Sequence, residues 1–334
     1  MFGIKTDDEP VNPYETGLLL VFAYPERIAG ARPGNNAQFR LSNGRLAMAS
    51  HGDDLAHEHW LAVAHMDARD GIGKIFLASP VNPKDLVPLV KNQEVITWDT
   101  KSGGLKATIE FRIGNIVLQQ KPLPNPDSTL VNDAVLAAIK NEGEKLLSFN
   151  EEVEQFQNRI SSLASWNPDD NWPDFSTSGL LKNPEKWLQP YLQNIKKNDD
   201  LERMNLKEIL FYSLKPGQQN QLEKFAPERI TVPSGSKIKL KYPADGSPPI
   251  LAVRLQEVFS MTESPKVNQG RVAVLMHLLS PGFKLVQITS DLNSFWQDAY
   301  FEVKKEMKRR YPKHYWPENP LEAEAVRGVR KKRG

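Results

Sequence analysis

Short runs of alternating apolar and polar residues dominate the first third of the chain and predict β-structure. The stretch NAQFRLSNGRLAMAS places Asn43-Gly44 between two such runs, which is the strongest local signal for a two-residue β-hairpin. Further strands are predicted in HWLAVAHMD, in GKIFLASPV and three times between residues 94 and 122, with a short helical piece near Pro83–Val90. Six or seven short strands separated by turns predict a small closed barrel.

One helix is predicted ahead of this β-region. Asn12 suits the N-cap, Pro13 the first turn, and Glu15 the third position of a capping box. The apolar residues that follow are almost continuous up to Pro25, so we expect this helix to be buried on most sides.

The rest of the chain is predicted to be helical first and mixed afterwards. After a proline-rich linker at residues 122–127, apolar residues at i, i+3 and i+4 spacing indicate helices up to about Phe225. SKIKLKYP then alternates as a strand, ILAVRLQEVFSM is predicted as an amphipathic helix, and RVAVLMHLLSP and FKLVQITSD as strands. The final helix, NSFWQDAYFEVKKEMKRRYP, has Asp291 or Asn293 as its N-cap. The pattern predicts a multi-domain α+β protein with an N-terminal barrel, a helical middle segment and a C-terminal α+β domain.

Composition restricts the class of protein further. The 334 residues are 40% hydrophobic and 25% charged, as in soluble globular proteins, and contain no cysteine. The lack of cysteine excludes disulfides and thiolate metal sites, and fits a cytoplasmic location. The start does not look like a signal peptide, and GLLLVFAY is too short to cross a bilayer, so we expect no membrane partner. Residues 301–334 carry a net charge of +6 although the whole chain carries only +2, which suggests attraction to a polyanion.

Motifs for catalysis and metal binding are incomplete. GIGK at residues 71–74 lacks the upstream glycine and the following Ser/Thr of a phosphate loop. SGSK at 234–237 has the Ser-x-x-Lys spacing of penicillin-recognising enzymes, but it opens a strand, where that spacing separates the two side chains. His57 and His59 are predicted to share one strand face, but no further metal ligand is assured, so we interpret them as polar residues at a strand entrance. We therefore assign no catalytic residue and no metal site, and expect a binding or accessory protein.

Three sets of residues are candidates for binding nucleic acid. The first lies in the predicted barrel and consists of Arg27, Arg32, Asn35, Asn36, Arg40 and Arg45. These side chains suit contacts to phosphate and 2′-hydroxyl, or alternatively the arginines cover apolar surface. The second is the strand row Lys237, Lys239 and Lys241, which suits either a row of phosphates or the protection of an edge strand.

The third set lies in RRYPKHYWPENP, residues 309–320. Arg309, Arg310 and Lys313 form a predicted basic ridge, and Trp316 is a candidate for stacking on a base. The alternative is a strap stiffened by prolines, in which Tyr311, Tyr315 and Trp316 pack onto the body of the protein.

Several segments together resemble one family. They are GLLLVFAYPERIAGARPGNNAQFRLSNGR (17–45), the run from KFAPERITVPSGSKIKLKYP to SDLNSFW (224–296) and EVKKEMKRRYPKHYWPENP (302–320). They resemble the C-terminal half of the HrpB-type bacterial ATP-dependent helicases of the DEAH/RHA group. The helicases' RecA-like motor domains, with their phosphate loop and DEAH box, have no counterpart in the sequence, so the chain looks like a fragment of such a helicase.

The resemblance implies a division of the chain and a role. Residues 1–12 would be a remnant of a preceding helical bundle or linker, 13–124 an OB-like barrel, 125–226 a helical segment, 227–320 the family's C-terminal α+β domain and 321–334 a basic tail. The expected role is a non-catalytic accessory region that contributes nucleic-acid binding or channel closure. The expected partners are RNA or another single-stranded nucleic acid and, in cis, the motor domains, which alone would bind ATP and Mg²⁺. The alternative is a protein-docking or regulatory module.

Overall fold

The computed structural model describes residues 10–34, 37–67 and 71–328, and these divide into two compact units between Ala134 and Val135. Asn35 and Asn36 lie outside the described residues. In the described part of the chain, no helix has the length and apolar character needed to cross a bilayer. The finer division of the chain into a remnant, a barrel, a helical segment, an α+β domain and a tail stays a prediction.

A closed five-stranded barrel forms the centre of the first unit and confirms the barrel prediction. Its strands are β1 (Ile28–Ala31), β2 (Gln38–Leu41), β3 (Leu46–Met48), β4 (Trp60–Met66) and β5 (Ile72–Pro80), in the order β1-β2-β3-β5-β4. Alternation sends one side of each strand inward, so that Phe39, Leu41 and Leu61 are fully buried in the barrel core.

The β2–β3 hairpin is present, but its loop has three residues instead of the predicted two. Gly44 N donates to Leu41 O at 2.8 Å, and Leu41 N donates to Arg45 O at 2.8 Å. Gly44 has a positive φ of 91°, whereas Asn43 does not. This is a turn followed by a left-handed residue, the usual form of a three-residue hairpin loop.

Helix α1 (Pro13–Ala23) begins where predicted, with the Asn12 side chain accepting from Tyr14 N at 3.0 Å. The prediction that it is buried on most sides is wrong. Only Gly17 and Val21 are buried, while Leu19 is 71% and Phe22 70% exposed. The helix is apolar nearly all round, but it packs against the barrel through a narrow side where Gly17 allows close approach to Pro80.

The three strands expected between residues 94 and 122 form, but they lie outside the barrel. β6 (Lys91–Asp99), β7 (Gly104–Ile113) and β8 (Ile116–Pro122) make a separate antiparallel sheet in the order β6-β7-β8. It follows the short helix α2 (Pro83–Leu86) and one 3₁₀ turn, Val87–Leu89. Because the three strands are joined by consecutive hairpins, they form backbone hydrogen bonds with one another and need no partner strand from the barrel.

Helices form the first half of the second unit. They are α3 (Ser128–Leu146), which starts in the first unit and is kinked at Glu142, α4 (Glu151–Trp166), α5 (Thr177–Lys182), α6 (Glu185–Leu188), α7 (Asn198–Glu202), α8 (Leu206–Ser213) and α9 (Pro216–Phe225). The Asn150 side chain caps α4 by accepting from Glu152 N and Val153 N, both at 3.1 Å.

The second unit also contains a five-stranded mixed sheet. Its strands are β9 (Arg229–Thr231), β10 (Lys237–Lys241), β11 (Ile250–Arg254), β14 (Leu275–Leu279) and β15 (Leu285–Thr289), in the order β15-β14-β11-β10-β9. A two-stranded sheet of β12 (Lys266–Val267) and β13 (Val272–Ala273) lies between β11 and β14 in sequence. The prediction of a helix over residues 250–261 is wrong. The first part of this segment is β11, which pairs in parallel with β14, and a 3₁₀ turn follows it.

The last helix has the predicted cap and one unexpected turn. Asp291 accepts from Ser294 N at 3.0 Å and begins α10 (Leu292–Ser294). One π-helical turn, Phe295–Ala299, continues into α11 (Tyr300–Arg310). The wider turn brings Phe295, Trp296 and Tyr300 into the core together.

Candidate nucleic-acid interface

The three lysines of β10 lie on the open face of the five-stranded sheet. Lys237, Lys239 and Lys241 are exposed, whereas Leu240 between them is buried. Lys239 is paired directly with Arg229 of β9, so a fourth cation joins the row. In the sheet order β10 lies between β9 and β11, but Lys237 and Lys239 pair with β9 alone and Lys241 pairs with β11 alone. Protection of unpaired strand positions is therefore still the alternative role for these lysines. We call Arg229, Lys237, Lys239 and Lys241 the lysine row.

The same face becomes apolar towards the opposite edge of the sheet. Lys241 pairs with Ile250 of β11, Ile250 with Leu275 of β14, and His277 of β14 with Ile288 of β15. At the end of the face near Ile250 and Leu275, a cleft of about 590 Å³ is lined also by Trp166, Pro248 and Arg271. The open face therefore offers cations on one side and apolar surface on the other.

At the other end of β11, Arg254 is held by a buried carboxylate. Its Nε and one terminal nitrogen both lie 2.8 Å from Glu257 Oε1, and Ser234 Oγ donates to Oε2 at 2.9 Å. Ser236 Oγ also donates to Oε2. Burial opposes ionisation of Glu257, but the hydrogen bonds from Ser236, Arg254 and Ser234 together lower the pKa of this carboxyl group. The Ser234 hydroxyl is thus a structural donor to Glu257, which accounts for it without a nucleophilic role.

Residues 311–320 run against this end of the sheet as a strap. Trp316 is 7% exposed and donates its indole N–H to Tyr311 O at 3.1 Å, while Gln256 donates to Tyr315 O at 3.0 Å. Pro317 and Pro320 are buried as well. The strap interpretation therefore accounts for Trp316, whose ring lies in the interior and cannot stack on a base in this conformation.

The predicted basic ridge lies on the outside of this strap and on the last turn of α11. Arg309, Arg310 and Lys313 are all exposed. Arg310 is paired with Glu306 at 3.1 Å, one helical turn earlier, so part of its charge is balanced.

Phe283 is a residue of this region that sequence reasoning did not select. It stands at the tip of the β14–β15 hairpin, 69% exposed, with the Arg254 guanidinium 5.1 Å from its ring centroid. Ser280 at the base of this hairpin lies 3.4 Å, hydroxyl to hydroxyl, from Tyr311 of the strap. The local signal is SPGFK, where an aromatic residue beside lysine follows a Pro-Gly turn.

The arginines of the barrel differ in how they are held. Arg27 donates to Ala64 O at 2.9 Å and stacks on the Tyr24 ring at 4.9 Å, which agrees with the alternative that it covers the barrel surface. Arg32 donates to Gln38 Oε1 at 3.1 Å. Arg40 and Arg45 are exposed near the β2–β3 hairpin.

The histidine-rich stretch does not form the predicted strand face. Residues Asp54–His57 are a 3₁₀ turn, capped by the Asp53 side chain, which accepts from Leu55 N at 3.0 Å. His59 lies beyond this turn, just before β4. Across residues 10–34, 37–67 and 71–328, no group of three or more His, Asp or Glu side chains is arranged to hold a metal ion.

Comparison with known proteins identifies two parts of the chain. Residues 187–320 match the family described as "ATP-dependent helicase C-terminal", and residues 89–123 match "ATP-dependent RNA helicase HrpB, connector region". The chain therefore carries the connector and C-terminal regions of the HrpB-type helicases. This confirms the resemblance seen in the sequence.

Similar proteins support the assignment to HrpB-type helicases over nearly the whole chain. The ATP-dependent RNA helicase HrpB of Escherichia coli (strain K12) is 36% identical over 324 residues. The match covers 94% of this chain but only 39% of that helicase. A crystal structure of the E. coli DExH-box NTPase HrpB matches with TM-score 0.60 and 36% identity over 93% of this chain and 39% of that one. A crystal structure of the Escherichia coli DEAH/RHA helicase HrpB gives TM-score 0.53 and 34% identity over 90% and 38%.

Proposed function

We propose that this chain is a non-catalytic accessory region of an HrpB-type ATP-dependent RNA helicase and contributes binding of single-stranded RNA to the motor. The lysine row carries the proposal. Three lysines and Arg229 lie side by side on two neighbouring strands, on one exposed face of the sheet. Cations spaced along an extended strand can contact successive phosphates of a flexible strand. ATP and Mg²⁺ belong, in this proposal, to the motor of the parent helicase.

Fluorescence anisotropy of a labelled single-stranded oligoribonucleotide tests the proposal at low and moderate salt. We expect binding that weakens steeply as salt rises, because neutralising phosphates releases counterions. The variant Lys237→Ala/Lys239→Ala/Lys241→Ala should bind more weakly. The control Lys182→Ala/Lys186→Ala/Lys196→Ala removes the same charge from exposed positions of the helical segment and should bind like the wild type. Equal losses in both variants, or no binding at low salt, would contradict the proposal.

A second candidate function, protein docking, is favoured by helix α1. Leu19 and Phe22 present exposed apolar side chains, which are unusual on the surface of a monomeric protein when they lie close together. We propose the motor segment of the parent helicase as the partner. Binding of that segment, supplied as a separate chain, should be lost in Leu19→Ser/Phe22→Ser and kept in Lys182→Ala/Lys186→Ala. Unchanged binding in the first variant would remove this candidate.

A further inference from the structure

The tip of the β14–β15 hairpin holds an aromatic residue in a backbone conformation that favours glycine. Phe283 has a φ of +60°, a left-handed conformation that bulky side chains rarely adopt. Its N–H donates to Ser280 O at 2.9 Å, and Ser280 N donates to Lys284 O at 2.8 Å. The β2–β3 hairpin has the same two bonds, with Gly44 in the equivalent position. The loop geometry therefore calls for glycine, and phenylalanine is present at a cost in backbone strain.

Burial does not explain this choice of residue. The Phe283 side chain is mostly exposed, so it gains little hydrophobic stabilisation to offset the strain. The ring lies against the Arg254 guanidinium, which Glu257 holds in place. An arginine fixed below an aromatic ring leaves the ring's outer face available for a second planar group.

The charge around Phe283 indicates which planar group fits. Lys284 follows it directly and is exposed. Tyr311 of the strap lies at the base of the same hairpin, and Lys313 of the basic ridge is two residues further along. Glu257, the carboxylate that holds Arg254, is buried beneath the pair and does not face solvent. An exposed ring flanked by cations is suited to a base that is attached to phosphates.

We propose that an unpaired base of a single-stranded nucleic acid stacks on Phe283, while neighbouring phosphates contact Lys284 and Lys313. The inference rests on the proposed RNA-binding function and names the aromatic contact of that site. It assigns to Phe283 the stacking role that the sequence suggested for Trp316, which is buried.

The substitution Phe283→Gly separates stacking from folding. Glycine adopts the left-handed conformation without strain, so the urea midpoint of this variant should equal or exceed that of the wild type. Its affinity for a labelled oligouridylate should fall by about tenfold, the usual consequence of losing one base–aromatic stack. Phe283→Tyr keeps the ring and should bind within about twofold of the wild type.

Three outcomes are informative. Lower affinity in Phe283→Gly with equal or higher stability and normal binding by Phe283→Tyr supports the stacking site. Wild-type affinity in Phe283→Gly, measured beside a weakened Lys237→Ala/Lys239→Ala/Lys241→Ala variant, overturns the stacking site and leaves the proposed function standing. No binding by the wild type at low salt overturns both. If Phe283→Gly proves less stable, Phe283→Asn, which also tolerates the left-handed conformation, replaces it in the same comparison.

Discussion

The Gln155 side chain forms two hydrogen bonds with the backbone of Tyr242. Its Oε1 accepts from Tyr242 N at 2.8 Å, and its Nε2 donates to Tyr242 O at 3.2 Å. Asn158, on the same side of α4, donates to this carbonyl at 2.9 Å. Side chains of α4 thus form the hydrogen bonds to the N–H and C=O groups of Tyr242, just beyond β10, that a neighbouring strand would otherwise form. This bonding fixes α4 against the strand that carries the lysine row.

Replacing Gln155 with leucine should destabilise the second unit by about 1–3 kcal/mol, because the buried Tyr242 N–H loses its acceptor. The Tyr242 carbonyl keeps its hydrogen bond from Asn158, so the loss of stability comes mainly from the unpaired N–H. Urea unfolding followed by circular dichroism measures the change. Gln193→Leu, at an exposed position, is the matched control and should leave the midpoint unchanged. Equal midpoints for the Gln155 variant and the wild type would show that the bonds add nothing to stability.

Caps and hairpins are the features that the sequence predicts well. Asn12 and Asp291 cap the helices expected of them, and Asn43-Gly44 lies in a hairpin loop, because these structures depend on a few neighbouring residues. Long-range pairing is the feature that it predicts poorly. Residues 250–254 have apolar positions compatible with either a helix or a strand, and the parallel partner β14 decides in favour of a strand.

In the candidate site, too, local features can be predicted from the sequence, whereas contacts between distant residues cannot. Alternation alone places Lys237, Lys239 and Lys241 on one face, but only the strand register shows that Lys239 pairs with Arg229 and Lys241 with Ile250. The contact between Phe283 and Arg254 joins residues that are far apart in sequence and have no common motif. Continuous apolarity in α1 likewise gave no information about which side of the helix would be covered.

The buried Glu257 carboxylate should make stability depend on pH. Its pKa is lowered in the folded protein, so its contribution is fully present above the unfolded-state value of 4.5 and is lost as pH falls through the folded value. The urea midpoint of the wild type should therefore fall more steeply below pH 4.5 than that of Glu257→Gln, which carries no titrating group there. At pH 7 the variant should be less stable, because it loses the charge-assisted bonds from Arg254.

Parallel pH profiles for the wild type and Glu257→Gln below pH 4.5 would show that the contribution of Glu257 does not depend on its charge. Glu208→Gln is a control at an exposed carboxylate, which accepts a hydrogen bond from Asn205, the N-cap residue of α8. Its profile should follow that of the wild type.

Gly114 is required by both backbone and packing in the β7–β8 turn. Its φ is +54°, and an added Cβ would lie 2.2 Å from Ser42 O. Gly34 has a similar φ of +75° but nothing within 4 Å of such a Cβ. Gly34→Ala should therefore cost only the strain, about 1 kcal/mol, whereas Gly114→Ala should cost about 1–3 kcal/mol more through overpacking. Thermal unfolding of the two variants measures the difference, and similar Tm values would argue against close packing at Ser42.

The salt dependence of RNA binding should distinguish the basic sets from one another. For single strands, each phosphate contact contributes about 0.7 to the slope of log K against log salt. If the lysine row contacts three phosphates, Lys237→Ala/Lys239→Ala/Lys241→Ala should lower the slope by about 2.

In the basic ridge, Arg310→Ala should change the slope less than Arg309→Ala, because Glu306 already balances the Arg310 charge. Arg27→Ala should lower stability more than affinity, because the Arg27 guanidinium is bonded to the Ala64 carbonyl. A uniform change in slope for every basic residue would instead indicate attraction to the overall charge of the protein, without a defined site.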